Sequence, residues 1–197
     1  ILTADFRGEL ECTTWSHGIG NQIKNLSAQK MPHSLGAFYA TFTELLGYRP
    51  DNDEWKVMAL SAFDINHSAM LDKIRKTYQL APDGTLELDQ SYYKANIYDQ
   101  PNLFTQKLVD LLGGRVGVPL EVPEEWHLCV AKAMQAAAEE IAVHYLKHLY
   151  DLTKSDNLAV AGGFFMNSVF NGQIIDRTPF KKIYVPFAPT DSGNSIG

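Results

Sequence analysis

Cationic side chains are scarce in this chain: 17 Lys and Arg stand against 23 Asp and Glu, for a net charge of −6. That balance leaves no basic stripe broad enough to follow a phosphate backbone, so nucleic acid is not an expected partner. Long apolar runs are missing too. None approaches the roughly 18 residues of a membrane span, and the amino end lacks the basic, apolar and small-residue order of a signal peptide. A cytoplasmic protein with no membrane partner is therefore expected. Cysteine is limited to Cys12 and Cys129, which read as buried cytosolic thiols rather than a disulfide framework. No linker of low complexity and no repeat divides the sequence, so its 197 residues are expected to form one domain or one large half-domain. Neither end has the polar tail of a finished domain: Ile1 opens inside an apolar stretch and Gly197 follows a glycine-rich turn. The chain is expected to be part of a longer protein.

What is present is an ordinary globular balance, 45% hydrophobic and 20% charged, enough for a sizeable core. Residues 1–16 read as a β-hairpin: Ile1 to Ala4, a tight Asp5-Phe6-Arg7-Gly8 turn, then Leu10 to Trp15 in partial alternation. Leu35, Phe38, Tyr39, Phe42, Leu45 and Leu46 recur at helical spacing and Gly47 stops them. Residues 48–68 read as loop with a short strand around Trp55-Lys56-Val57-Met58. Residues 69–101 form a weakly patterned insert, with an Asp83-Gly84 turn between β-like runs and packing mass from Tyr78, Tyr92, Tyr93 and Tyr98. The strongest helix is expected from Pro123 to Leu149, with Glu124 and Glu125 at the positive end of its dipole. Its buried stripe is Val130, Met134, Ala137, Ile141, Tyr145 and Leu149. A strand at Leu158–Ala161, a Gly162-Gly163 turn, a helix from Phe165 to Ile175 and a strand at Ile183–Val185 follow. Another helix is expected to begin at Thr190-Asp191-Ser192-Gly193. Strand, glycine turn, helix and strand is the grammar of an α/β nucleotide site.

Three turns can carry chemistry. Asp5 sits at a hairpin tip beside Gly8, whose missing Cβ lets backbone N–H groups approach a ligand. Gly162 and Gly163 end a buried strand and open a helix, so free N–H groups there suit an anion or a flat nucleoside. Asp191 puts a second carboxylate at a strand end. Aspartate and glycine are also what turns are made of, and each turn taken singly reads as well as structure.

Their order along one chain carries a resemblance. Thr3-Ala4-Asp5-x-x-Gly8-Glu9, His33-Ser34-Leu35-Gly36, Glu54-x-Lys56-Val57-Met58-x-Leu60, Ala161-Gly162-Gly163-x-x-x-Asn167-x-x-x-Asn171-Gly172 and Asp191-x-Gly193-x-x-x-Gly197 resemble successive blocks of the carbamoyltransferases that modify nodulation factors and antibiotics. The likeness spans nearly the whole chain and is weakest over about 65–125, which reads as a family-specific insert. It implies an α/β fold: an actin-like ATPase (ribonuclease H-like) half-domain, its mixed sheet flanked by helices. It implies a reaction in which carbamoyl phosphate and ATP give a carbamoyl-adenylate, whose carbamoyl group passes to the hydroxyl of a small-molecule alcohol.

Carried over by position, Asp5 and Asp191 would complete the shell of a divalent metal. Gly162, Gly163 and Asn167 would hold the adenylate, with Gly8 and Ser34 beside it. His33 and Ser34 stand where the family meets the carbamoyl or phosphate end, and Asp5 and His33 are the catalytic candidates. The family's metal histidines, a His-His-x-x-His-Ala segment, are not in this sequence; with them, the ligand types suit ferrous iron, with manganese or zinc compatible. The remaining parts of the full-length chain are thus implied partners, the chain alone is expected to be inactive, and a homodimer is compatible. The sequence departs from the family at Phe6, Ala59, Phe164 and Phe165, bulkier than the usual small residues, which are expected to narrow the room near the ligand. Lys56 reads either as a snorkelling edge residue or as a ligand. His144 and His148, four apart, read as packing rather than a metal pair, and His17, His67 and His127 have no motif around them. Two other readings stay open: a threonylcarbamoyl or hydrogenase-maturation enzyme of the same fold, and a nucleotide-binding module without chemistry.

Overall fold

The computed structural model describes residues 1–94, 102–118 and 122–196; Tyr98 and Gly197 lie outside them. In chain order the strands are β1 (Leu2–Ala4), β2 (Glu11–Ile19), β3 (Gln22–Lys30), β4 (Tyr78–Leu80), β5 (Leu86–Leu88), β6 (Asn157–Ala161) and β7 (Lys182–Tyr184). The helices are α1 (Leu35–Leu45), α2 (Glu54–Leu60), α3 (Ser68–Ile74), α4 (Gln106–Leu111), α5 (Glu125–Thr153), α6 (Ser168–Asn171) and α7 (Ile174–Arg177). The fold is mixed α/β, with a five-stranded mixed sheet flanked by helices. The residues group into two compact units: Ile1–Gly36, Leu80–Leu86 and Ile141–Gly197 in the first, Ala37–Gln79 and Glu87–Glu140 in the second.

The first unit holds the sheet, ordered β3-β2-β1-β6-β7. β2 is antiparallel to β1 and to β3, whereas β6 is parallel to β1 and to β7. β3, β1, β6 and β7 therefore all point the same way, and only β2 runs against them. Leu2 pairs with both Trp15 and Val160, all three buried, which makes β1 a central strand of short length. The Trp15 ring meets Tyr145 edge-on at 5.1 Å, and its indole N–H donates to the Tyr145 carbonyl at 3.1 Å. A buried aromatic with a satisfied N–H both fills the core and fixes its own orientation. His144 bonds the Ala81 carbonyl at 3.0 Å and His148 stands edge-on to Trp15, so both histidines serve packing, as the sequence suggested.

In the second unit, Phe38 of α1 packs with Phe42, Tyr78 and Tyr93, and the Thr77 and Tyr93 hydroxyls share a hydrogen bond. Tyr39 donates to Gln135, which donates in turn to Glu139, each at 2.9 Å; burial pushes the Tyr39 phenol far up. The long helix stands much as its periodicity implies, and the whole stripe from Val130 to Leu149 is buried. Gly47 ends α1 with φ +88°; Gly84, which belongs to the first unit, turns β4 into β5 with φ +86°.

Several expectations fail. Residues 54–60 form α2, not a strand: Asp53 precedes the helix, Glu54 opens it, and Val57 and Leu60 bury one face three residues apart. A short apolar run is compatible with either period, and here the i, i+3 burial decides. Lys56 pairs with Asp53 at 2.9 Å, one turn earlier. Residues 165–175 are not one helix. A 3-10 turn at Gly163–Met166 gives way to α6 and then α7, because Asn167 takes a non-helical φ/ψ and its side chain caps the Phe170 N–H at 3.0 Å. The hairpin is longer than its alternation indicated, with β2 reaching Ile19 and a third strand, β3, beyond it. Cys12 and Cys129 are free thiols, and only Cys12 is fully buried.

Candidate functional site

Because β3, β1, β6 and β7 share a direction, the segments leaving them emerge on one edge of the sheet. These segments carry His33–Ser34, Asp5, Gly162–Gly163 and Asp191 respectively. Open sheets place ligands outside the carboxyl ends of parallel strands for this reason.

Contacts tie these segments together. The Ser34 side chain, fully buried, donates to the Asp5 and Phe6 carbonyls at 2.9 and 2.6 Å. A Cβ on Gly36 would stand 2.5 Å from Phe6 Cα, so the start of α1 lies flat against the Asp5 turn. Asp5 takes its own position from its N–H, bonded to the Cys12 carbonyl at 2.9 Å, and from its Oδ1, which accepts the Phe6 N–H at 2.8 Å. On the other side, a Cβ on Gly163 would come within 3.1 Å of Asp5 Oδ1. Gly162 has φ +99° and sits against the Ala4 carbonyl, two requirements only glycine meets together. Its N–H donates to the Pro189 carbonyl at 2.7 Å, which joins the loop leading to Asp191. The Asp5 turn and the Pro189 loop that leads to Asp191 thus both lie against the Gly162–Gly163 backbone.

The Gly162 N–H is spent on Pro189; among the described residues it is the N–H groups of Gly163 and Phe164 that have no acceptor. The Gly8 N–H closes the turn onto the Glu11 carbonyl at 2.8 Å, so its part is to shape the hairpin. Asn167 is buried and caps α6. His33 is half-buried, with its carbonyl accepting from Gln29 and from the Cys12 thiol. Asp191 is exposed and opens a 3-10 turn, Asp191–Ile196. Phe164 and Phe165 are buried and meet each other and Phe170, with ring centroids at 5.6 Å for Phe164–Phe165 and for Phe164–Phe170. These two departures pack into the core. Phe6 is half-buried, and its backbone has no positive φ, so a side chain is tolerated there.

Asp5 and Asp191 offer oxygen donors on the same edge, but no third His, Cys, Asp or Glu joins them among the described residues. Two carboxylates fit part of a divalent-ion shell and leave it to be completed by ligands from elsewhere. Burial raises the Cys12 thiol to about 11, consistent with an apolar seat beneath the Ser34 turn.

The family described as Carbamoyltransferase N-terminus matches this chain over residues 1–197. The chain belongs to that family. Among its relatives, an uncharacterized protein of Synechocystis is 29% identical over 203 residues, covering 100% of this chain and 32% of that protein. Nodulation protein NolNO of Sinorhizobium fredii is 28% identical over 197 residues (100% and 27%). Nodulation protein NolO of Bradyrhizobium diazoefficiens is 26% identical over 197 residues (100% and 33%). This carbamoyltransferase-family chain therefore spans about a third or less of the length of these relatives. Within it, two structural determinants of the site carried no signal in the sequence. Gly36 appeared only as a motif letter, and Gln29 is one of three amides, with Gln22 and Asn25, in a largely polar strand.

Proposed function

We propose that this chain forms part of a carbamoyltransferase with the actin-like arrangement, and that its sheet edge handles carbamoyl-adenylate made from carbamoyl phosphate and ATP. In the transfer step an alcohol oxygen forms a bond to the carbamoyl carbon. The bond from that carbon to the AMP phosphate oxygen breaks, and the alcohol proton leaves to a base. The products are a carbamate ester, AMP and a proton. The observation that carries this reading is the meeting of the Asp5, Gly162–Gly163 and Pro189–Asp191 segments at one backbone junction. Family membership supports the reaction class.

Each residue then has a task it can perform from where it stands. The Gly163 and Phe164 N–H groups, without internal acceptors, suit the phosphate of the departing AMP. Ser34 and Gly36 hold the Asp5–Phe6 backbone, so the Asp5 carboxylate keeps one orientation. His33, in the neighbouring segment, is the side chain suited to take the alcohol proton. A divalent cation, ferrous iron by ligand type, would supply Lewis-acid stabilisation of charge on the carbamoyl oxygen, with Asp5 and Asp191 among its ligands. The acceptor is a small-molecule alcohol such as an antibiotic, a sugar or a nodulation factor.

The test uses the full-length protein with ATP, carbon-labelled carbamoyl phosphate and a panel of sugar and antibiotic alcohols. ATP-dependent transfer of label to an acceptor hydroxyl is the expected result. Labelled product that forms equally well without ATP, or no acceptor-bound label across the panel, would count against the reading.

A further inference from the structure

Gln29 lies in β3, only 5% exposed, and every hydrogen-bonding position of its amide is used. Its Nε2 donates to the His33 carbonyl and to the Leu86 carbonyl, each at 2.5 Å. Its Oε1 accepts the Leu86 N–H at 3.0 Å and the Tyr145 hydroxyl at 3.1 Å. Two carbonyls on one side and two donors on the other fix which end of the amide is which. No other side chain supplies two donors and an acceptor at that reach. The backbone carbonyl of the same residue accepts the Cys12 thiol at 3.3 Å, and that thiol also faces the His33 carbonyl.

We infer that Gln29 is a positioning residue for the Asp5 turn, acting through His33 and Ser34, with the Leu86 backbone as its fixed anchor. This rests on the reading of that turn as the working site. The chain of contacts is short. Leu86 holds the Gln29 amide from both its N–H and its carbonyl; the amide holds the His33 carbonyl; Ser34, the next residue, holds the Asp5 and Phe6 carbonyls. Leu86 comes from a chain segment remote from the sheet strands in sequence, and Tyr145 from α5, so Gln29 ties two separate parts of the first unit to the loop that fixes Asp5. A side chain kept only for packing would be apolar at this depth, because a buried amide is costly unless each of its bonds is made.

The experiment replaces Gln29 in the full-length protein by Glu, which keeps the shape and both acceptor bonds but loses both donors. Hydrogen exchange at pH 8 should become about tenfold faster over residues 5–9 and 33–36, while the peptide containing Val160 in β6 keeps its protection. At pH 6 a buried carboxyl regains a proton and one donor, so protection over residues 33–36 should partly return after correction for intrinsic exchange. Neither wild type nor Gln29→Leu should show that return. If the wild type transfers carbamoyl groups, Gln29→Glu should lower kcat with little change in KM, and kcat should recover at pH 6. Unchanged protection at 5–9, or equal loss at Val160, overturns the inference. Should Gln29→Glu fail to fold, Tyr145→Phe removes a single partner of Oε1. Loosening at 33–36 ahead of Val160 then supports the inference, and uniform or absent loosening overturns it. A wild-type protein with no transfer activity would count against the proposed function alone, because the exchange readout does not depend on activity.

Discussion

Gly36 and Ser34 hold the Asp5 turn by different physics, one by having no side chain and the other by a hydroxyl shared between two carbonyls. A methyl at Gly36 would meet Phe6 and Asp5 backbone atoms, which have no free rotamer to move aside. Gly36→Ala in the full-length protein should therefore cost about 1–3 kcal/mol and raise exchange over residues 5–9. Gly172→Ala is the control: a Cβ there would find the Ser168 carbonyl at an ordinary 3.5 Å, and little should change. Both glycines were equally visible in the sequence. Only the approach of a distant backbone distinguishes them, and no local pattern encodes that. Cys12 gives a pH test at the same scale. Burial raises its thiol to about 11, so the reactive thiolate is scarce below that pH in the native protein. Iodoacetamide at pH 8 should leave Cys12 unmodified while Cys129, half-exposed, reacts, and Cys12 labelling should rise only as the pH approaches 11. Rapid Cys12 modification at pH 8 in folded protein would contradict its seat beneath the Ser34 turn.

Elements were legible in proportion to the length of their pattern. The stripe on α5 repeats over enough turns to fix both type and facing, and every position named in it is buried. α2 has room for only Val57 and Leu60 on its buried face, and the Trp-Lys-Val-Met run within it fits a strand as well as a helix turn. The segment after Gly163 departs from a single helix for another reason. Its apolar residues look helical, but Asn167 diverts its side chain to cap α6 and breaks the run into short pieces. Met134, buried in the α5 stripe, carries the element-scale prediction. Met134→Ala should destabilise by about 2–5 kcal/mol, read as a lowered midpoint in the denaturation transition that exposes α5, while Lys147→Ala on the exposed face should shift it little. Equal effects of the two would mean that the stripe does not form the buried face.

For the whole molecule, the order of strands matters more than any one motif. Four strands pointing one way bring segments from both ends of the chain to a single sheet edge, although Asp5 and Asp191 are far apart in sequence. The motif blocks indicated which turns to watch; the parallel pairing of β1, β6 and β7 explains why three of them reach one edge, and β3, which brings His33 and Ser34 there, had no clear alternation to announce it. The division of labour among the turns was also hidden, since whether a glycine N–H is free or spent depends on a partner such as Pro189. The central claim is that this edge works through the Asp5 and Asp191 carboxylates. It is tested most directly by measuring bound metal and carbamoyl transfer in full-length Asp191→Asn, beside Asp5→Asn. Asp191 is exposed, so the fold should be indifferent to the change. The account predicts that metal content and transfer fall together in both variants while the unfolding midpoint stays near wild type. Asparagine caps a helical turn almost as well as aspartate, so an Asp191→Asn protein with full metal and full transfer would make the residue a cap and contradict the account.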